Sequence, residues 1–272
     1  MRAIEAVSDG LYRWTSGTYH SVFLVHAGGI VVGDPLNREA AAWLKSELAR
    51  RFPDKPITHV IYSHNHSDHA YGGEVLDGPG VWFIAHELAR ADLVRTKARA
   101  RIPDTVFSDR MTLNLGEGQT IDLAYHGSNN GRGSISMLFG PQKVLHVVDW
   151  IVLGRLPYRK LQGYDLAGMI ESTHAALDMD FATIVGGHAD IGDKSDVRRY
   201  LSYIEALHDG VRDGILAGRS LDRIRQDLTL AEFSDLKQFD AWRTENIEGA
   251  YHTLVDDHYL TMRPEVPETP PQ

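Results

Sequence analysis

The stretch Ser63-His64-Asn65-His66-Ser67-Asp68-His69 directly follows an apolar run, Ile57-Thr58-His59-Val60-Ile61-Tyr62. The run is rich in β-branched and aromatic residues and ends in polar ones, the pattern of a buried strand passing into a loop. Three histidines and an aspartate packed this closely suit neither a core nor an ordinary surface. Imidazole is mostly neutral at pH 7 and offers a nitrogen donor, while a carboxylate adds charge, so together they suit zinc, iron or manganese. The cluster also falls at the carboxyl end of a strand, where open α/β sheets hold ligands. The plain alternative is a histidine-rich surface turn without a metal.

Composition narrows the classes. The chain has 272 residues, enough for one large domain or two small ones. A formal charge of −9 speaks against nucleic acid, because backbone binding needs clustered Lys and Arg. The absence of cysteine removes disulfides, thiolate metal ligands and a cysteine nucleophile together. No run approaches the roughly 20 apolar residues of a membrane helix. Residues 1–5 lead into foldable sequence without an apolar signal region. The expectation is a cytoplasmic protein with a small-molecule substrate, no nucleic acid and no membrane.

Outward from the histidine loop, short strands are expected near residues 11–14, 21–25 and 30–32, with turns at Ser8-Asp9-Gly10 and Ala27-Gly28-Gly29. Residues 38–51 carry helical apolar spacing (Ala41, Trp43, Leu44, Leu48), with Asn37 as cap and Pro53 and Pro56 as breakers. Beyond the loop come a strand at 81–84, a helix over 86–99 and an irregular connection at 102–109 overhanging the site. Strands follow at 111–113, 119–123, 134–139 and 143–149, then a helix over 164–177 and a strand at 181–185 that ends in Gly186-Gly187-His188. This order predicts an α/β fold of two βα halves folded against each other. Residues 195–260 are helical in period, with Gly218 ending one helix and Ser220 or Asp222 starting the next. Their Ala and Leu stripes read as core or homodimer contact. The expected division is a domain over 1–194, a helical extension over 195–262 packed on it, and a proline-rich, disordered tail over 263–272.

His64-Asn65-His66-Ser67-Asp68-His69 matches the H-x-H-x-D-H signature of the metallo-β-lactamase superfamily. Asp34 after the third strand, Asp149 at the end of the 144–148 strand and His188 resemble further landmarks of that family, in the right order. The resemblance spans about Val7 to Lys194 and implies a four-layer αβ/βα sandwich with a metal centre at one edge. It implies one metal on His64, His66 and a third ligand, a second on Asp68, His69 and His188, and Asp149 between them, with Asp34 buttressing the loop. One position departs. Where the family has its usual third histidine ligand, this chain aligns Asn130, whose carbonyl oxygen is a weaker donor for zinc. His126 is the substitute if the loop is rewired; otherwise it is a strand-end histidine.

The resemblance implies two zinc ions, the first weakly held, with iron or manganese as alternatives. It implies hydrolysis of a lactone, ester or thioester by a metal-bound hydroxide, with Asp68 orienting the nucleophile. Asp149 counts against penicillin-like substrates, since true β-lactamases lack it. In the loop after it, Tyr158 is placed to protonate a leaving group, and Arg159 or Lys160 to pair with a carboxylate; a solvated basic loop with a packed tyrosine is the plain reading. Ile151, Val152 and Leu153 stand where acyl-homoserine lactonases carry a tyrosine. His20, near the first strands, is the one remaining histidine expected to border the site. The alternatives are a mononuclear iron oxygenase of the persulfide dioxygenase type, a β-lactamase-like amide hydrolase, and a non-catalytic binding protein.

Overall fold

Alternation along the strands sorts the apolar side chains into three separate layers. In the computed structural model, which describes residues 1–258 and Leu260, the first sheet runs β1 (Arg2–Ser8), β2 (Leu11–Ser16), β3 (Tyr19–His26), β4 (Gly29–Val32), β5 (Ile57–Ile61), β6 (Trp82–His86) and β7 (Thr105–Phe107), side by side in that order. Pairing is antiparallel up to β4 and parallel from β4 to β7. Helix α1 (Arg38–Arg51) crosses from β4 to β5, and Asn37 caps it by accepting from the Ala40 amide, as expected. Two single-turn helices, α2 (Ser67–Ala70) and α3 (Gly73–Leu76), follow β5, and α4 (Glu87–Arg95) follows β6.

The second sheet holds β8 (Arg110–Asn114), β9 (Thr120–Tyr125), β10 (Ile135–Phe139), β11 (Val144–Val147), β12 (Thr183–Gly186) and β13 (Ile191–Gly192). Its one parallel pair, β11 with β12, is joined through α5 (Leu166–Leu177). On β3, Val22 and Leu24 meet Ile121, Leu123, Met137 and Phe139 between the sheets, while Phe23 turns the other way to join Leu44 of α1. On β12, Val185 points between the sheets and Ile184 points outward. This period-two sorting makes a four-layer α/β/β/α sandwich, the expected class. Each fully buried Leu, Val or Phe contributes about 1.5–3 kcal/mol to holding the layers together.

Helices α6 (Lys194–Leu216), α7 (Leu221–Asp227) and α8 (Phe239–His252) cover the outer face of the second sheet. Asp193 starts α6 with a capping box shared with Asp196, and Gly218 and Ser220 end α6 and start α7 as read from the sequence. Tyr203, Leu207, Ile247 and Ala250 of this extension share one core with Leu145, Val147 and Ile184 of the sheet. No helix among the described residues is long and apolar enough to cross a membrane. The proposed tail, 263–272, lies outside the described residues.

Three strands depart from expectation. β1, β7 and β13 are all edge or near-edge strands, and the residues of β1 are exposed or only partly buried, so no apolar alternation marks it. Residues 102–109 are not a loop over the site: Thr105–Phe107 closes the first sheet against β6.

Candidate metal centre and substrate pocket

Four strand ends deliver the site. β4 runs into Asp34, β5 into Ser63 and His64, β11 into Asp149, and β12 into Gly187 and His188. Because β4 pairs parallel with β5, and β11 with β12, their carboxyl ends open on a common edge. His64 Nε2 and His66 Nδ1 each lie 3.1 Å from Asp149 Oδ2. His188 Nε2 lies 3.1 Å, and His69 Nε2 3.7 Å, from Asp149 Oδ1. One carboxylate thus turns an oxygen to each pair of histidines. The ligand atoms form two groups, His64/His66/Asp149 and Asp68/His69/His188, each within 4.8 Å.

The hydrogen bonds around these rings decide which nitrogens are free. Asp34 is fully buried; its Oδ1 accepts from the Ser63 amide at 2.7 Å and its Oδ2 from the Ser63 hydroxyl at 2.5 Å. With that hydroxyl committed as donor, His64 Nδ1, 2.8 Å from Ser63 Oγ, carries the proton and leaves Nε2 as a lone pair. His188 Nδ1 is bonded to the Thr18 carbonyl at 3.3 Å; His69 Nδ1 makes no hydrogen bond but faces the Asp34 carboxylate at 3.4 Å, and both contacts favour a proton on Nδ1. His69 Nε2 and His188 Nε2 then sit 3.0 Å apart, a distance that needs a proton or a cation between them. His64 Nε2 and Asp149 Oδ1 are buried without a hydrogen bond. Orphaned lone pairs on a shared carboxylate and three oriented imidazoles fit a pair of metal ions. A donor set of nitrogen and oxygen alone suits zinc, iron or manganese.

Charge agrees with geometry. Burial would raise the Asp149 carboxyl, but the charge on His69 and the close approach of His188, His64 and His66 hold it well below the usual carboxylate range. Asp68 is likewise pushed up by burial and brought down to about 2 by His188 and His69. Burial lowers His188, yet Asp149 and Asp68 raise it to about 9. Asp149 also has a left-handed backbone, φ 70°, uncommon for a side-chain-bearing residue and tolerated best by Asn and Asp. A Cβ on neighbouring Gly187 would stand 2.6 Å from Val148 Cγ1 and 3.2 Å from His69 Cε1, so only glycine lets β12 pass this close.

Asn130 reaches the site in a different role from the one expected. Its carbonyl oxygen accepts from Ser134 Oγ at 2.9 Å, and its amide nitrogen donates to Asp149 Oδ2 at 3.3 Å. The opposite orientation would set two oxygens face to face, so in this arrangement the Asn130 amide donates to Asp149. His126 does not substitute: its Nε2 lies 2.8 Å from Ser136 Oγ and its ring packs against Trp150. His20 bonds Thr15 through its ring and the Gly187 carbonyl through its backbone, so it props the β12 end without entering the centre.

The centre floors a cavity of about 420 Å³. Its walls include Tyr158, as expected, together with Tyr19, Arg155 and Tyr164, which the sequence did not single out. Tyr158 is 50% exposed and meets the Trp242 ring edge-on. Lys160 faces away from the centre, paired with Glu248, and Arg159 stacks over Tyr158. The wall is held by the C-terminal helices. Asn246 of α8, buried, accepts from the Tyr203 hydroxyl and donates to the carbonyls of Pro157 and Arg159.

The fold and this histidine-aspartate centre agree with the profile of the metallo-beta-lactamase superfamily, which matches residues 15–188. The chain belongs to that superfamily. A similar protein is the 2,4-dinitroanisole O-demethylase subunit alpha of Nocardioides sp. (strain JS1661), 22% identical over 256 residues, 93% of this chain and 75% of that one. Similar solved structures include metallo-beta-lactamases from Pontibacter korlensis (TM-score 0.68, 19% identity, 75% of this chain and 99% of that one) and Hirschia baltica (TM-score 0.64, 18%, 75% and 97%). At these identities the solved structures share the fold.

Proposed function

We propose that this chain is a metal-dependent hydrolase acting on a carbonyl substrate, a lactone, ester or thioester. One observation carries the reading: Asp149 turns one oxygen toward each pair of histidines at the floor of a pocket large enough for a small organic molecule. Metal ions held there, two zincs in this reading with iron or manganese as alternatives, would supply Lewis acidity and a water acidified toward a pKa of about 7. Asp68, ionised at neutral pH and open to the pocket, orients the attacking water as a hydrogen-bond acceptor. Tyr158 donates its hydroxyl proton to the departing oxygen, or to the departing sulfur of a thioester. Tyr19, packed against the His69 and His188 rings, keeps bulk water from that side.

A second reading rests on the demethylase relative, whose similarity runs over 93% of the chain and includes the C-terminal helices. In that reading the same centre cleaves an aryl methyl ether. The experiment is a parallel assay of 4-nitrophenyl acetate, a thioester, a lactone and 2,4-dinitroanisole on protein of measured metal content, with oxygen uptake recorded. Turnover of carbonyl substrates without oxygen uptake is expected. Iron-bearing protein that consumes oxygen would instead support the oxygenase alternative, and cleavage of the ether alone would support the second reading.

A further inference from the structure

Arg155 sits in the pocket wall, and no acidic group among the described residues pairs with it. Among the described residues its side chain makes no ion pair and no hydrogen bond, and its Nε is buried with no partner. Its backbone is fixed: the Lys237 amide donates to the Gly154 carbonyl at 2.9 Å and the Leu156 amide to the Lys237 carbonyl at 3.1 Å. The guanidinium lies over the Trp242 indole, 5.5 Å from the ring centroid, and Trp242 in turn braces Tyr158 at 5.4 Å. The carboxylate whose charge acts on Arg155, Asp149, already has its oxygens turned to histidines. Tyr200, whose charge state and that of Arg155 influence each other, also has a buried hydroxyl with no partner. A guanidinium half-removed from water and left unpaired costs stability. Binding sites keep such groups for what they bind.

We propose that Arg155, stacked on Trp242, is the recognition subsite for a substrate that carries a carboxylate on an aromatic ring. The proposal rests on the hydrolase reading for its chemistry but not for its binding. The guanidinium lies over the indole and among the described residues none of its nitrogens is hydrogen-bonded, which leaves a planar group able to pair a carboxylate through two nitrogens. Tyr164, Tyr158 and Tyr19 line the same chamber as Arg155 and give it aromatic walls. Trp242 comes from α8, beyond the region that the superfamily profile matches, so the helical extension supplies the selectivity.

The test is benzoate binding by calorimetry to the full chain, once as purified and once after stripping with a chelator, in wild type, Arg155→Gln, Arg155→Lys and Trp242→Leu. Benzoate is expected to bind both wild-type forms, with Kd raised about 10- to 100-fold by Arg155→Gln and less by Arg155→Lys. Cyclohexanecarboxylate and benzamide should each bind more weakly than benzoate. The Tm of Arg155→Gln without ligand should not fall below wild type, since an unpaired charge is removed; an arginine kept for structure would lower it. Unchanged benzoate affinity in Arg155→Gln, or binding that vanishes on stripping, would overturn the subsite and assign benzoate to the metals. In turnover, Arg155→Gln should raise KM for 4-carboxyphenyl acetate relative to phenyl acetate by a similar factor. Arg155-dependent benzoate binding without turnover of either ester would sink the hydrolase reading alone. Ester turnover with an unchanged KM ratio would sink this subsite alone.

Discussion

Asn130 and Asp149 meet at 3.3 Å, amide nitrogen to carboxylate oxygen, where the sequence aligned Asn130 with the family's usual third histidine. An amide that donates there fixes the carboxylate but adds no ligand. Replacing Asn130 with His should therefore add a nitrogen donor to the His64/His66/Asp149 group. Metal loss to a chelator should slow by about 10-fold or more in Asn130→His, measured as residual metal against time. An unchanged rate would show that Asp149 alone completes the group.

Asp149→Asn keeps the side chain's shape and tolerates the left-handed backbone, but removes the charge and one acceptor oxygen. Outer hydrogen-bond partners of metal ligands alone cost 10–100-fold in affinity or activity. The shared ligand should cost at least about 100-fold in kcat/KM, with less metal per chain by elemental analysis. Full metal content in Asp149→Asn would show that it is not a shared ligand.

Gly187→Ala forces a methyl group against Val148 and the His69 ring. Overpacking of this kind costs about 1–3 kcal/mol, readable as a lower denaturant midpoint. Because the ring pushed aside is a ligand, weaker metal retention should accompany the lost stability.

His126 gives a pH signature away from the centre. Burial, helped by Arg110, lowers it from 6.5 to about 4. Between those values the unfolded chain holds a proton that the folded chain does not, so this contribution is complete above about pH 6.5 and is lost as pH falls toward 4. His126→Gln keeps a hydrogen-bonding group near Ser136 and cannot titrate. Its Tm should fall less than that of wild type between pH 6.5 and 4; parallel curves would refute the assignment.

The centre was largely legible because its chemistry is concentrated. Four of its ligands sit in one loop, and Asp149 and His188 stand where apolar runs stop. The contacts of Asn130 were not legible, because whether an amide presents oxygen or nitrogen depends on Ser134 and Asp149, both fixed only by folding. Nothing in the sequence separates Arg155 from Arg159 and Lys160; burial and a distant tryptophan do. Edge strands escaped for a related reason, since a strand paired on one side and wet on a face needs no apolar alternation.

His69 and His188 are 119 residues apart, and the ligand set draws on both sheets. During synthesis the histidine loop emerges long before β12, so the nascent chain can at first offer only a loose partial site. Full-strength metal capture has to wait until the two sheets have closed on each other. A complete set of metal-binding side chains therefore exists only in a chain whose two sheets have both formed.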